Sequence, residues 1–184
     1  MSPKIASGLA ERPGASGAPA PASEPIWDII ELLFFAYRDF VGDPDEVLSK
    51  LGFGRAHHRV LHFVNRNPGM KVADLLEILN ITKQSLGRVL KQLIDQRYVV
   101  QREGANDRRQ RLLHVSAAGE ALAMQLAGLQ TERIARVLAE IGPGGSEAAR
   151  RFLAGMIDAD DRDHVLRLIA DADRARPRGR DRGS

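Results

Sequence analysis

The sequence predicts a mainly α-helical protein with one small β-hairpin. Three observations predict it. Apolar residues recur with the 3.6-residue helical period along most of the chain. Two helical stretches meet at Asn80-Ile81-Thr82 with almost no connecting chain. Two β-prone segments, Tyr98-Val99-Val100 and Leu112 to Val115, then bracket a polar, arginine-rich turn. Together these read as a winged helix-turn-helix, with the remaining helices left over for dimerisation.

Composition narrows the functions open to such a chain. At 184 residues it is one domain's worth of sequence, able to bury a core without staples. It has no cysteine, which excludes disulfides, thiolate metal ligation and thiol redox sensing. The longest apolar stretch, Ile26 to Val41, carries Asp28, Glu31, Arg38 and Asp39, and is too short and too charged for a bilayer span. The N-terminus lacks the apolar centre of a secretory signal, so no membrane association and a cytoplasmic location are expected. The net charge of +3 is unevenly placed. Residues 71 to 111 hold nine Lys/Arg against five Asp/Glu, and residues 174 to 184 hold five Arg against one Asp, so each stretch carries +4 and the rest of the chain −5. Positive charge gathered in two places suits a polyanion binder.

The elements follow in order. Residues 1 to 24 are rich in Ala, Pro, Gly and Ser and cannot bury enough apolar surface to offset the entropy of ordering, so a disordered tail is expected. Residues 25 to 54 contain the first helix, Ile26 to Val41, which is apolar nearly all round and includes Trp27, Phe34, Phe35, Tyr37 and Phe40. Such a helix must be buried on every side, and a dimer interface achieves that more simply than a fully enclosed core position. The DNA-binding unit is placed at 55 to 116. A second helix runs from Arg55 to Arg66 and stops before Asn67-Pro68-Gly69. A third covers Ala73 to Leu79 and ends on Asn80, which suits a left-handed backbone. Thr82 caps the fourth, whose Leu86, Val89, Leu90, Leu93 and Ile94 form one apolar stripe. Its other face shows Lys83, Gln84, Gly87, Arg88 and Lys91, donors for phosphates and base edges. The hairpin that follows carries Arg102, Arg108, Arg109 and Arg111, and a basic hairpin after a basic amphipathic helix is a wing. Residues 117 to 173 hold a long helix capped by Ser116 and ended by Gly142-Pro143-Gly144-Gly145, then one or two further helices. Residues 174 to 184 are a basic, disordered tail, either merely solvated or a non-specific phosphate tether.

At the wing the residues resemble the MarR family of transcriptional regulators. Asp107-Arg108-Arg109 resembles the family's D-x-R, and Leu113-His114-Val115-Ser116-Ala117-Ala118-Gly119 resembles its apolar-x-L-T-x-x-G, with Val115 for Leu and Ser116 for Thr. One departure is Arg97, where such proteins usually end the recognition helix on glycine. A non-glycine residue forced to positive φ costs about 1 kcal/mol or more, so a locally different turn is expected there. The resemblance implies an obligate homodimer, recognition helices in successive major grooves and wings in the flanking minor grooves. A twofold pair of such units needs half-sites roughly 34 Å apart, hence a near-palindromic operator.

On that basis Gln84, Ser85 and Arg88 are the candidates for base-edge contacts, and Thr82, Lys83 and Lys91 for phosphates. Arg109 is the minor-groove candidate, with Asp107 orienting it as the resemblance implies, and Arg108 and Arg111 complete the wing set. Double-stranded DNA, a second copy of the chain and a small-molecule effector are the expected partners. The resemblance places ligands where the second helix, the long helix and the dimer helices meet, which makes Trp27, His57 and His58 candidate walls. His58 and His62 stand one turn apart, but no neighbouring carboxylate or cysteine completes a metal set. No cofactor and no catalysis are expected: there is no phosphate-cradling glycine loop, nucleophile motif or ligand cluster. The alternatives are a non-specific architectural DNA binder and a winged-helix interaction module that no longer binds DNA. The arginine-rich wing argues against the second.

Overall fold

The computed structural model describes residues 24–104 and 110–175. Asp107, Arg108 and Arg109, and most of both tails, lie outside the described residues. Seven helices and a three-stranded sheet follow in the order α1 (Trp27–Ser49), α2 (Arg55–Arg66), β1 (Met70–Lys71), α3 (Val72–Leu79), α4 (Lys83–Asp95), β2 (Val99–Glu103), β3 (Arg111–Val115), α5 (Ala117–Ile141), α6 (Gly145–Gly155) and α7 (Ala159–Ala175). The mainly helical class with a small hairpin is as the sequence predicts, and α2 and α5 have the expected ends.

The core lies between α2, α3, α4, the first half of α5 and the base of the hairpin. Val60, Leu61, Leu75, Leu86, Leu93, Val99, Leu113 and Leu126 are all essentially closed to solvent there. Leu86 and Leu93 come from the α4 stripe read in the sequence, and removing this apolar surface from water, worth about 25 cal/mol per Å², drives the unit together. Outside the core the pattern reverses. On α1, Trp27 is 63%, Phe34 69%, Phe35 54% and Tyr37 55% exposed within one chain.

Local chemistry fixes the ends of the elements. Asn80 takes the left-handed backbone at φ 48° and closes α3. The Thr82 side chain accepts a hydrogen bond from the Ser85 N–H at 3.1 Å and starts α4. Ser116 does the same for the Gly119 N–H at 3.0 Å and starts α5. These short-range bonds satisfy N–H groups that a helix start leaves unpaired.

Three features depart from expectation. The first helix does not stop at Val41 but continues through Pro44 to Ser49. A proline removes one helical hydrogen bond, yet Pro44 is fully buried beside Val41 and Leu48, so its ring contributes packing in return. The two-residue strand β1, too short to leave a periodic signal, pairs with β3 in the registers Met70 to Leu113 and Lys71 to Leu112. β3 is thereby the central strand, with β2 antiparallel on its other side. Finally, Arg97 adopts positive φ, 63°, rather than avoiding it. The Tyr98 N–H bonds the Leu93 carbonyl at 2.8 Å and the Arg97 N–H bonds the Ile94 carbonyl at 2.9 Å, the paired closure that requires a left-handed residue at this position.

Candidate nucleic-acid interface

The candidate surface is built on α4. Leu86, Leu90 and Leu93 are buried against the core, which turns Lys83, Gln84, Gly87, Arg88 and Lys91 to solvent. Among the described residues, no hydrogen bond or ion pair holds Lys83, Gln84 or Arg88, so their donors are available. Lys91 is paired with Asp95 one turn on, an exposed contact worth little against a phosphate. The Thr82 hydroxyl donates to the Ser85 hydroxyl at 2.9 Å, which places both side chains at the helix start. Lys83, Gln84, Arg88 and Lys91 therefore share one exposed face of α4, while Thr82 and the half-buried Ser85 lie at its start. Gly87 has open space where a side chain would project, so the backbone there can approach a groove closely.

The hairpin stands beside it. Arg111 lies opposite Glu103 in the strand register and bonds it at 3.2 Å, so its charge is partly spent at the base of the wing. Two cations outside the sequence-predicted site also lie here. Lys71 on β1 and Arg102 on β2 both pair with Leu112 from opposite sides of β3, and both are exposed. The strand pairing that brings them together depends on β1, which left no signal of its own.

The junction between α4, the hairpin and α5 explains the glycine of the wing motif. A Cβ at Gly119 would stand 2.0 Å from the Tyr98 carbonyl oxygen, an impossible approach. Ser116 closes the same junction: its N–H bonds the Tyr98 carbonyl at 3.0 Å and its hydroxyl donates to the Arg97 carbonyl at 2.6 Å. The long helix is thus fastened directly to the end of α4.

The three expected ligand-wall residues separate. A cavity of about 250 Å³ lies between α1, α2 and α5, lined by Tyr37, Phe40, Val41, His58, Arg59, His62, Phe63 and Gln130. Only His58 of the three lines it. His57 stacks on Phe53 at 4.7 Å, accepts the Gly54 N–H on Nδ1 at 3.1 Å and meets Gln92 Oε1 through Nε2 at 2.9 Å. With Nδ1 accepting, Nε2 is the donor, and the ring ties α2 to α4 rather than facing a cavity. Trp27 lies exposed at the start of α1. Burial holds the His58 imidazole below its ordinary range, opposed by the Asp45 carboxylate. His62 is lowered by burial and then by the neighbouring charges of His58 and Arg66. Arg59 donates to the Leu79 carbonyl at 2.9 Å, joining the cavity wall to the end of α3. Among the described residues no three His, Asp or Glu side chains gather to hold a metal, and no helix is long and apolar enough to cross a membrane.

A family model described as MarR family matches residues 51–110. The HTH-type transcriptional regulator PetP of Rhodobacter capsulatus is 42% identical over 144 residues, covering 78% of this chain and 86% of the relative. The chain belongs to the MarR family. It is a helix-turn-helix transcriptional regulator, and the matched residues include α3 and α4. Solved structures share the fold. Streptococcus pneumoniae FabT in complex with DNA superposes with a TM-score of 0.63 at 12% identity, over 80% of this chain and 99% of that one. NadR in complex with 4-hydroxyphenylacetate gives 0.61 at 20% identity, over 77% and 99%. At these identities the MarR-family likeness concerns architecture alone.

Proposed function

We propose that the protein binds a near-palindromic operator as a homodimer and reads it with Gln84, Ser85 and Arg88. The observation that carries the reading is that Lys83, Gln84 and Arg88 stand exposed and unpaired on α4, set against a back face buried in the core. Gln matches adenine and Arg matches guanine through paired hydrogen bonds in the major groove. Thr82, Lys83 and Lys91 contact phosphates, which set register without reading sequence. Arg109, oriented by Asp107, enters the minor groove, with Arg108 and Arg111 adding charge beside it. The exposed apolar residues of α1 supply the twofold contact, and two recognition units so joined read half-sites roughly 34 Å apart.

The cavity beside α2 is the effector site of this reading. Its walls are aromatic, with Arg59, His58 and His62 as polar groups, a chemistry that suits a small aromatic anion. NadR, a structural neighbour, is complexed with 4-hydroxyphenylacetate, a molecule of that class.

Selection of bound duplexes from a random library at near-physiological salt tests the function. An enriched palindrome with half-sites one turn apart is expected, preferred over scrambled DNA by about 10³ or more. Binding without enrichment would replace the reading by a non-specific architectural one. Within the selected site, Arg88→Ala is expected to cost about 1 to 3 kcal/mol and relax preference at one base position. An equal loss on every sequence would make Arg88 a phosphate contact instead.

A further inference from the structure

Gln92 is a polar side chain on α4 that is held from within the protein. It lies one turn after Arg88 and two after Ser85, half-buried where the exposed row meets the buried stripe. A glutamine amide is of the type that reads adenine, yet here its Oε1 meets the His57 Nε2 at 2.9 Å and its Nε2 donates to the Gly52 carbonyl at 3.1 Å. The His57 Nδ1 accepts the Gly54 N–H at 3.1 Å. One direction of donation fits all three bonds: Gly54 N–H to Nδ1, imidazole N–H to Oε1, and amide N–H to the Gly52 carbonyl. The connection between α1 and α2 therefore opens and closes a ring of hydrogen bonds that passes through α4.

Phe53, between the two glycines, adds an apolar grip. It is buried, stacks on the His57 ring at 4.7 Å and meets the Tyr98 ring edge-on at 5.3 Å. Tyr98 follows directly on the turn that closes α4. The same short connection thus holds α4 at Gln92 and the chain just past its end.

The rest of α4 rests on the core through Leu86, Leu90 and Leu93. Apolar contact is non-directional and tolerates a small roll of a helix about its axis. Hydrogen bonds have a preferred direction and resist that roll. Base reading is sensitive to it, because paired donors must be held to within about 0.5 Å and 10–20°. A flexible lysine on a phosphate is not, since it meets a charge and not a pattern.

We propose that His57 is a positioning residue for DNA reading: by holding Gln92 against the Gly52–Gly54 connection it fixes the rotation of α4, and with it the aim of Gln84 and Arg88 at base edges. This rests on the DNA-binding reading above and adds a residue that acts through Gln92 without touching DNA. His57 therefore sets preference among sequences and leaves the general attraction to DNA unchanged.

The test compares the full chain with His57→Leu, Gln92→Leu, the two combined, and His57→Gln. Each form is titrated against the selected operator and against unrelated duplex at several salt concentrations, well below its own thermal melting midpoint. Leucine at 57 fills space but makes neither bond. The expected result is a loss of about tenfold on the operator, the size of one mis-set base contact. Affinity for unrelated duplex and the slope of log K against log salt stay unchanged, because no phosphate contact is lost. Gln92→Leu gives the same pattern, and the combined form loses no more than either alone, as two residues acting as one unit require. His57→Gln restores the preference, because its amide offers an acceptor for the Gly54 N–H, as glutamine does at this place in a helix start, and a donor for Gln92. Equal losses on both duplexes would overturn the proposal, since a merely structural role lowers stability without changing the ratio of the two affinities. An unchanged operator affinity in His57→Leu, simple addition of the two losses in the combined form, or no recovery in His57→Gln would each overturn it as well. If the parent chain prefers no sequence, the reading beneath the proposal falls, and the parent titration alone shows it.

Discussion

Arg97 shows how a single residue can carry strain that its neighbours impose. Two backbone hydrogen bonds closing α4 demand a left-handed residue, and Ser116 holds the Arg97 carbonyl from the far side. A side chain at φ 63° costs about 1 to 2 kcal/mol, from which the greater freedom of glycine in the unfolded chain subtracts part. Arg97→Gly is therefore expected to raise stability by about 0.5 to 1 kcal/mol, read as a higher denaturation midpoint at unchanged helix content. A lower midpoint would mean that the Arg97 side chain contributes more than its backbone costs. Gly119→Ala is expected to do the reverse and cost several kcal/mol by urea unfolding, since its Cβ would stand 2.0 Å from a carbonyl oxygen. An alanine form as stable as the parent would show that the start of α5 can move away from Tyr98. At this scale the sequence is most legible where one residue acts on its near neighbours. Asn80, Thr82 and Ser116 are legible for that reason. His57 and His58 are not separable, because which of two adjacent histidines turns to a cavity depends on how α2 packs. The bond from Gly54 to His57 three residues on is a usable signal that His57 closes the helix start.

Elements with a strong period are legible along their whole length, and those defined by their partners are not. α4 and α5 announce themselves by apolar stripes and caps, and α2 by the Asn67-Pro68-Gly69 breaker that ends it. The second half of α1 does not, because Gly42-Asp43-Pro44 reads locally as a breaker. It stays helical through burial of Val41, Pro44 and Leu48 and through the bond from Arg133 on α5 to Asp43 at 2.8 Å. Likewise β1 exists only because β3 lies alongside it. On α2 the packing also sets a pH dependence. Burial lowers the His58 imidazole, and with it His62, relative to the unfolded chain. Above pH 6.5 both states are neutral and the two rings contribute no pH dependence. As the pH falls below 6.5 the unfolded chain takes up protons that the folded chain refuses, so stability falls. Urea midpoints at pH 7.5 and pH 5.5 are expected to differ in that direction, and His58→Gln is expected to shrink the difference. The same pH dependence in the variant would assign the effect to other groups.

At the scale of the whole molecule, the described residues of one chain leave an apolar surface uncovered. Trp27, Leu32, Phe34, Phe35 and Tyr37 on α1, Ile141 on α5, Phe152, Leu153 and Met156 on α6 and Ile169 on α7 are all exposed. Monomeric proteins rarely expose so large an apolar area, and its place on the first and last helices of the chain suits interleaving with a second copy. The buried core of the winged unit takes in Leu48 of α1 and Leu122, Ala123 and Leu126 of α5, but Phe34 and Phe35 lie outside it and exposed, so changing them need not unfold it. Phe34→Glu with Phe35→Glu is expected to convert a particle of twice the chain mass into one of single mass, measured by sedimentation at micromolar concentration. Helix content in the winged unit is expected to persist, while affinity for a two-half-site operator falls at least about a hundredfold. That factor follows from linkage: joining two recognition units makes the second contact intramolecular, at an effective concentration that multiplies affinity by about 10² to 10⁴. A single half-site separates this cause from damage to α4, because the glutamate form binds it as the parent's individual unit does. If the glutamate form still sediments at twice the mass, the twofold contact lies on α6 and α7 rather than α1. If the parent chain sediments at single mass while still selecting a palindrome, the two units meet only on DNA.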